Sequence, residues 1–216
     1  MTYLRSVACS LAIGLCIPTL AHAAPNLTIT GNVPSGGCTP SLQGNADVDF
    51  GHISTSTLNA AAPTVLQKRS VTLQVSCATP SSPILRLVDE RSDSVVHLMV
   101  PGMELHPLSM MGLGAAAGVG IGMYVVMMVD NQADGERSHL VARRDGFGWG
   151  MPVFQHPLSS AYQVGYQTSQ LLDRPGQYRV MTSTLEVMPV IRPRNELDGS
   201  GDIRMDGAAT LEIMQL

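Results

Sequence analysis

Residues 27–38 read Leu27-Thr28-Ile29-Thr30-Gly31-Asn32-Val33-Pro34-Ser35-Gly36-Gly37-Cys38. Apolar side chains at Leu27, Ile29 and Val33 alternate with polar ones, and this period of two predicts an extended strand with one apolar face. Gly31 falls on that face, as happens where another backbone approaches closely. Pro34 ends the strand before a Ser-Gly-Gly linker that leads to a cysteine. We interpret this strand as one that does not complete its own domain but is donated to a neighbouring copy of the chain.

The segment before this strand has the features of a secretory signal peptide. Arg5 supplies a positive start, residues 7–15 are apolar, and Ala21-His22-Ala23 matches a small-x-small cleavage site. We predict a signal peptide over residues 1–23, with cleavage before Ala24. The alternative, an uncleaved membrane anchor, is disfavoured because the apolar run is too short to span a bilayer.

The expected mature chain divides into an N-terminal extension, residues 24–37, and one domain, residues 38–216. Removing Arg5 from the 13 basic residues leaves 12, against 17 acidic residues. No basic cluster occurs, so nucleic acid is not an expected partner. Two cysteines remain, Cys38 and Cys77, and in an oxidising compartment they predict one disulfide.

Several short segments with alternating polarity predict an all-β sandwich. These candidate strands are residues 46–50, 71–77, 84–88 and 95–100, and a terminal strand with Ala209, Leu211 and Ile213 on one face. Strands are also expected between residues 178 and 191, broken by Pro175, Pro189 and Pro193. No long amphipathic helix is expected after the signal peptide.

The uncharged stretch from residue 108 to 129 has two interpretations. Its length and the spacing of Gly114, Gly118 and Gly122 are those of a membrane helix with small residues four apart. However, five glycines crowd into residues 112–122, and a β-branched and aromatic run follows them. We therefore favour a glycine-rich loop that leads into a buried strand over residues 121–129.

Other motifs give weak indications of a binding site. Residues 130–136 resemble a calcium loop, but the ligand positions are incomplete, and a solvated turn is the favoured interpretation. Trp149, the only tryptophan, lies among glycines and could stack on a sugar, although a place in the core is more usual. No His or Cys pair has metal-ligand spacing, and no nucleophile motif occurs. We expect no enzyme activity, metal or cofactor.

The N-terminal strand followed by Cys38 resembles the N-terminal extension of subunits assembled by the chaperone–usher pathway. Residues 207–216 resemble the last strand of that family, although Gln215 stands where the family usually has tyrosine. More closely, residues 38–42, 49–51, 71–73 and 206–212 resemble a fimbrial-like bacterial family of unknown function. The resemblance implies a pilin-like, incomplete immunoglobulin-like β-sandwich with a central elaboration, in which Cys38 and Cys77 form the single disulfide.

The resemblance also implies a role in cell adhesion. It implies a structural or minor fimbrial subunit, exported through the periplasm to the cell surface and assembled by donor-strand exchange. The donor residues would be Leu27, Ile29, Gly31 and Val33, and a periplasmic chaperone would pair with the strand of Ala209, Leu211 and Ile213. Expected partners are that chaperone, an outer-membrane usher and neighbouring subunits. The alternatives are a tip adhesin that binds a surface glycan through Trp149 and, less favoured, a membrane protein with a helix over residues 108–129.

Overall fold

The computed structural model describes residues 37–43, 47–51, 53–197 and 204–216, together with the backbone of residues 26–32. The predicted signal peptide, its cleavage site, Val33 and the adjoining linker lie outside these residues. Within the described residues the chain forms sixteen β-strands. In chain order they are β1 (Asn26–Asn32), β2 (Cys38–Gln43), β3 (Asp47–Asp49), β4 (Thr64–Val65), β5 (Arg69–Ser81), β6 (Pro83–Asp89), β7 (Met111–Gly112), β8 (Ala115–Ala116), β9 (Val119–Gly120), β10 (Gly122–Ala133), β11 (Glu136–Arg137), β12 (His139–Arg143), β13 (His156–Leu158), β14 (Gln163–Gln167), β15 (Tyr178–Ile191) and β16 (Ala208–Gln215).

The strands form two sheets that pack face to face, which confirms the all-β sandwich. The six-stranded sheet has the order β12-β14-β6-β16-β1-β3. The eight-stranded sheet has the order β11-β10-β15-β5-β2, with β13 and β7 paired to β10 and β4 paired to β15. The hairpin of β8 and β9 stands apart from both sheets. Across the described residues the only helical elements are four 3₁₀ turns, at Thr55–Thr57, Ser92–Ser94, Pro107–Ser109 and Arg194–Glu196.

Alternating apolar side chains from the two sheets fill the space between them. Strand β5 contributes Val71, Leu73 and Val75, as its sequence pattern predicts, and β6 contributes Leu85 and Leu87 from the opposite sheet. Leu73, Val75, Leu85 and Leu87 are fully buried. Burial of each such side chain contributes about 1.5–3 kcal/mol, so the sandwich is stabilised chiefly by this layer.

The predicted disulfide between Cys38 and Cys77 is confirmed. The two cysteines lie directly opposite each other in the antiparallel pair of β2 and β5, and both are buried. The bond ties the edge strand β2 to the long strand β5. By the loop-closure model, a covalent loop of this length stabilises the fold by about 4 kcal/mol.

The region from residue 108 to 129 contains no α-helix, so the membrane-helix alternative is wrong and the favoured strand is confirmed. Strand β10 crosses the eight-stranded sheet and carries fully buried side chains at Met123 and Val125. Across the described residues no helix is both long and apolar enough to cross a bilayer. Two glycines are required by close backbone approach, because a Cβ at Gly112 would overlap the carbonyl of Arg91 and one at Gly122 that of Val190.

The prediction of a strand over residues 95–100 is wrong. These residues have only isolated bridges, one of which joins Val100 to Met103 around the turn at Pro101–Gly102. Leu98 packs on Met123 and Val190, on the outer face of the eight-stranded sheet. The apolar residues of this segment therefore cover a sheet instead of joining one, and they form the predicted central elaboration.

The prediction that Pro189 interrupts a strand is also wrong, because Pro189 lies inside the long strand β15, opposite Tyr124. A residue in an antiparallel strand directs its N–H and C=O to the same neighbour. The carbonyl of Pro189 accepts the N–H of Leu66 at 3.0 Å. The backbone nitrogen of Pro189, which has no hydrogen, therefore faces the two-residue strand β4. Its lack of an N–H removes no hydrogen bond between β15 and β10.

The β8–β9 turn offers a test of backbone strain. Ala117 and Gly118 form its two-residue loop with φ of 49° and 81°, the type I′ geometry that favours Asn-Gly. Ala117→Asn should stabilise the protein by about 0.5–1 kcal/mol, because asparagine tolerates the left-handed region better than alanine. Urea unfolding measures this change. The control is Ala115→Asn, on the adjacent exposed strand position, and an equal gain there would contradict the strain argument.

Candidate functional site

The N-terminal strand β1 occupies the place in the six-stranded sheet between β16 and β3, here called the β1 position. It runs parallel to β16, with five pairs from Thr28↔Ala208 to Asn32↔Glu212. It runs antiparallel to β3, with three pairs from Asn26↔Asp49 to Thr28↔Asp47. The first and last strands of the described chain therefore lie side by side.

The register pairs the apolar positions of β1 with residues that belong to the core. Leu27 lies opposite Val48, and Ile29 lies opposite Ala209. Gly31 lies opposite Leu211. Val48, Ala209 and Leu211 are all buried. The alternating apolar positions of β1 therefore lie opposite residues of β16 and β3 that face the core.

This pairing corrects one interpretation made from the sequence. We predict from the sequence that the strand leaves its own domain, whereas in the single chain it pairs with β16 and β3 of that domain. The physical reason is that an unpaired edge of β16 needs a partner strand, and β1 is the apolar strand attached to the same molecule. Transfer of the strand between copies stays a prediction.

Strand β16 borders the β1 position on one side and is held in the sheet by β6. It pairs antiparallel with β6 over seven residues, and Ala209, Leu211 and Ile213 point into the core, as the terminal pattern predicts. On the opposite face Arg86 Nη2 lies 2.6 Å from Glu212 Oε2, a partly exposed ion pair between the two strands. Gln215 is exposed at the end of the strand. The chaperone-facing role of these residues stays a prediction.

Strand β3 is the other side of the β1 position. Its sheet neighbour among the described strands is β1 alone. Val48 is its one buried residue, and Asp47 and Asp49 are exposed, in agreement with the predicted strand. Withdrawal of β1 would therefore leave β16 with an unpaired edge and β3 without a sheet partner.

A half-buried carboxylate fixes the backbone next to the start of β16. Asp89, opposite Ala209, accepts the N–H of Gly112 at 2.8 Å and that of Arg91 at 2.9 Å. Burial raises the pKa of the Asp89 carboxyl, against the opposing effect of these two hydrogen bonds. The contact joins the central elaboration to the end of β6. No feature of the sequence pattern singles out this residue, since both partners are backbone groups and one of them, the N–H of Gly112, is far away in the chain.

Trp149 lies on the surface, after β12, at the edge of the six-stranded sheet farthest from β1. It is half-buried, and the guanidinium of Arg143 lies 4.7 Å from its ring centroid. The expectation that a lone tryptophan belongs to the core is wrong here. Its contact with a glycan stays a prediction, and the arginine beside it was not identified from the sequence.

The remaining motifs give no metal site. Among residues 37–43, 47–51, 53–197 and 204–216, no group of three His, Cys, Asp or Glu side chains could hold a metal ion. Asp134 and Gly135 form a tight turn between β10 and β11, and Asp134 accepts the N–H groups of Arg179 and Val180 at 2.9 and 2.8 Å. The favoured interpretation of residues 130–136 as a solvated turn is confirmed only for Asp134 and Gly135, because residues 130–133 belong to β10 and Asn131 is buried. An open cavity of about 770 Å³ lies in the central elaboration, lined by residues such as Leu98, Met103 and Met110.

Comparison with known proteins gives one family match. A model of the family described as "Protein of unknown function (DUF1120)" matches residues 27–124. The match includes β1, β3, both cysteines and β6, and it ends within β10. It agrees with the predicted resemblance to a family of unknown function. No curated protein matches the chain.

Substitutions in β16 separate its two faces. Leu211 is buried opposite Gly31 and Leu87, so Leu211→Ala should lower the free energy of unfolding by about 2–5 kcal/mol. Met214, which is partly exposed on the outer face, is the control, and Met214→Ala should cost less than about 1 kcal/mol. Urea unfolding of both variants measures the difference. Equal losses of unfolding free energy in the two variants would show that the apolar face of β16 does not pack in the core.

A partly buried histidine on β13 gives a pH-dependent contribution to stability. Burial lowers the pKa of His156 below 6.5, and its ring packs edge-on against Tyr162. As the pH falls below 6.5, the unfolded chain takes up this proton before the folded chain does, so the stability decreases. His156→Gln should therefore reduce the loss of stability between about pH 7.5 and about pH 5.5. His97→Gln, at an exposed position, is the control, and an unchanged pH dependence in His156→Gln would contradict this assignment.

Proposed function

We propose that the chain is a structural or minor subunit of a surface fimbrium, and that copies of it assemble by exchange of the β1 strand. The observation that carries the proposal is the β1 position, which is bounded by β16 and β3 and filled by a segment from the other end of the chain. The predicted export and the pattern of residues 27–33 support the same function. The proposed partners are a periplasmic chaperone, an outer-membrane usher and neighbouring subunits.

Exchange between copies uses a position that already exists in the six-stranded sheet. The β1 strand of one molecule would occupy the β1 position of the next and bury the same apolar residues, as in a domain swap. Burial of the two apolar side chains at positions 27 and 29 contributes on the order of 1.5–3 kcal/mol each. The single chain then corresponds to a self-complemented form whose own strand must leave before another can enter.

The direction of β1 gives a reason for exchange to proceed. Within one chain β1 pairs with β16 in parallel over five residues. A parallel ladder is slightly less stable per residue than an antiparallel one. A strand from another copy is not restricted by the short connection to β2, so it is free to choose the antiparallel direction. Assembly would then exchange a five-residue parallel ladder with β16 for an antiparallel one, and a three-residue antiparallel ladder with β3 for a parallel one, which leaves more residues in antiparallel pairing.

The central test removes the β1 strand from the chain and asks whether a separate peptide can take its place in the sheet. A chain that begins at Gly37 should be unstable or aggregate, because β16 has an unpaired apolar edge. Addition of a peptide with the sequence of residues 24–36 should raise its melting temperature and remain bound during gel filtration. If the shortened chain is as stable as the mature chain and does not bind the peptide, the proposal is wrong.

Peptide variants make the test specific to one face of β1. Ile29→Asp should abolish binding, because position 29 is one of the alternating apolar positions of β1, which in the single chain lies opposite the buried Ala209. The matched control is Thr30→Asp, which places the same charge at the neighbouring alternate position and should still bind. Gly31→Leu in the full chain should slow formation of polymers. Equal effects of the substitutions at positions 29 and 30 would argue against strand insertion.

A further inference from the structure

Three arginines lie over three aromatic rings on β12 and the segments that come just before and after it. The guanidinium carbon is 4.8 Å from the ring centroid in the pair Arg137–Phe154. The corresponding distance is 4.7 Å for Arg143–Trp149 and 4.9 Å for Arg144–Phe147. We call these six residues the arginine–aromatic surface. All three pairs among the described residues fall within eighteen residues, whereas pairs at the usual density of about one per 70–80 residues would be spread along the chain.

The surface is held in place by the edge strand β12. The segment after β12 turns back along it, with hydrogen bonds of 2.7 and 2.8 Å between Leu140 and Val153. Phe154 packs on His139 at one end of β12, with 4.7 Å between ring centroids, and Trp149 packs on Arg143 at the other end. At about 3.3 Å per residue, these ends are about 13 Å apart. The surface is therefore long enough for an extended ligand.

The cations of this surface are not neutralised by ion pairs. Among the described residues, Arg137 and Arg144 form no salt bridge, and Arg143 Nε donates to the neutral amide oxygen of Gln163 at 2.8 Å. Asp145 is held by Gln163 Nε2 at 2.7 Å. The whole chain has a formal net charge of −4, so a local excess of arginine is unusual for it.

Apolar side chains stand exposed beside these cations. Phe147 is 63% exposed, Met151 68% and Phe154 56%. Isolated exposed apolar residues need no explanation, but a row of them among unpaired arginines indicates a binding surface. A guanidinium over an aromatic ring keeps its N–H groups available at its edge, and those without a partner can bind a carboxylate through two hydrogen bonds.

We propose that the arginine–aromatic surface binds a carboxylated polysaccharide. The arginines bind successive carboxylates, and the exposed rings contact the apolar faces of the sugars. The choice of a polysaccharide over a nucleic acid rests on the proposed surface location, where acidic glycans are the accessible polyanions. This binding is separate from strand exchange, because no residue of β1, β3 or β16 takes part.

The probe is polygalacturonate, added to the monomeric mature chain. Trp149 is the only tryptophan, so its fluorescence reports directly on this surface. We expect a saturable change in emission that weakens as salt is added. The control ligand is the methyl-esterified polymer, which has the same sugar backbone without the carboxylate charges. It should bind at least about tenfold more weakly.

The variants remove charge without touching the core. Arg144→Gln combined with Arg143→Gln should weaken binding at least about tenfold, and Arg144→Gln with Phe147→Ala should do the same at exposed positions. Arg69→Gln, exposed on the other sheet, should bind as the unsubstituted chain does. Each variant is first shown to keep its melting temperature.

The proposal would be overturned by no binding of polygalacturonate, by equal binding of the esterified polymer, or by equal loss of binding in Arg69→Gln. Tighter binding of a single-stranded DNA oligonucleotide of equal charge would also overturn it, in favour of a nucleic-acid ligand. Failure of this test leaves the peptide experiment on the β1 position unaffected. Failure of the peptide experiment likewise does not change the expected binding by the monomer.

Discussion

The fold depends on the need to pair both edges of β16. This strand lies inside the six-stranded sheet, and Ala209, Leu211 and Ile213 supply part of the core. Strand β6 pairs with one edge over seven residues and is linked to it by the Arg86–Glu212 ion pair. The other edge is covered by five residues of β1. The last strand of the fold is therefore completed by the first segment of the chain.

The two strands that pair with β16 differ in how firmly the chain attaches them to the rest of the fold. Strand β6 is continuous with β5 through a single residue, and the disulfide ties β5 to β2. Strand β1 precedes this covalently closed region, so it can leave without disturbing the disulfide-linked strands. An apolar edge cannot stay open in water without attracting another strand. Some strand must therefore occupy the β1 position at every stage, whether it belongs to the same molecule or to another one.

Local pattern was sufficient to predict several of the longer strands, but it did not identify β12 or β14 and it did not predict which strands pair. The alternation at Val71, Leu73 and Val75 and at Ala209, Leu211 and Ile213 gave both strands and their buried faces. Residues 95–100 have similar polarity but cover a sheet, because their hydrogen bonds depend on neighbours that local pattern does not specify. Pro189 is tolerated inside β15 because its backbone faces β4, and this orientation is known only from the strand pairing. The pairing of β1 with β16 joins opposite ends of the chain, and no short-range signal encodes it.

The position of the arginine–aromatic surface follows from the same strand order. Strands β14, β6 and β16 separate β12 from β1, and at about 4.8 Å per step the two lie about 19 Å apart. Exchange at the β1 position would therefore leave the β12 edge open to ligand. A polymer would repeat this cationic edge once in every subunit. Weak binding by one subunit to an acidic polysaccharide would then become strong attachment by many, because each bound site raises the effective concentration of the next.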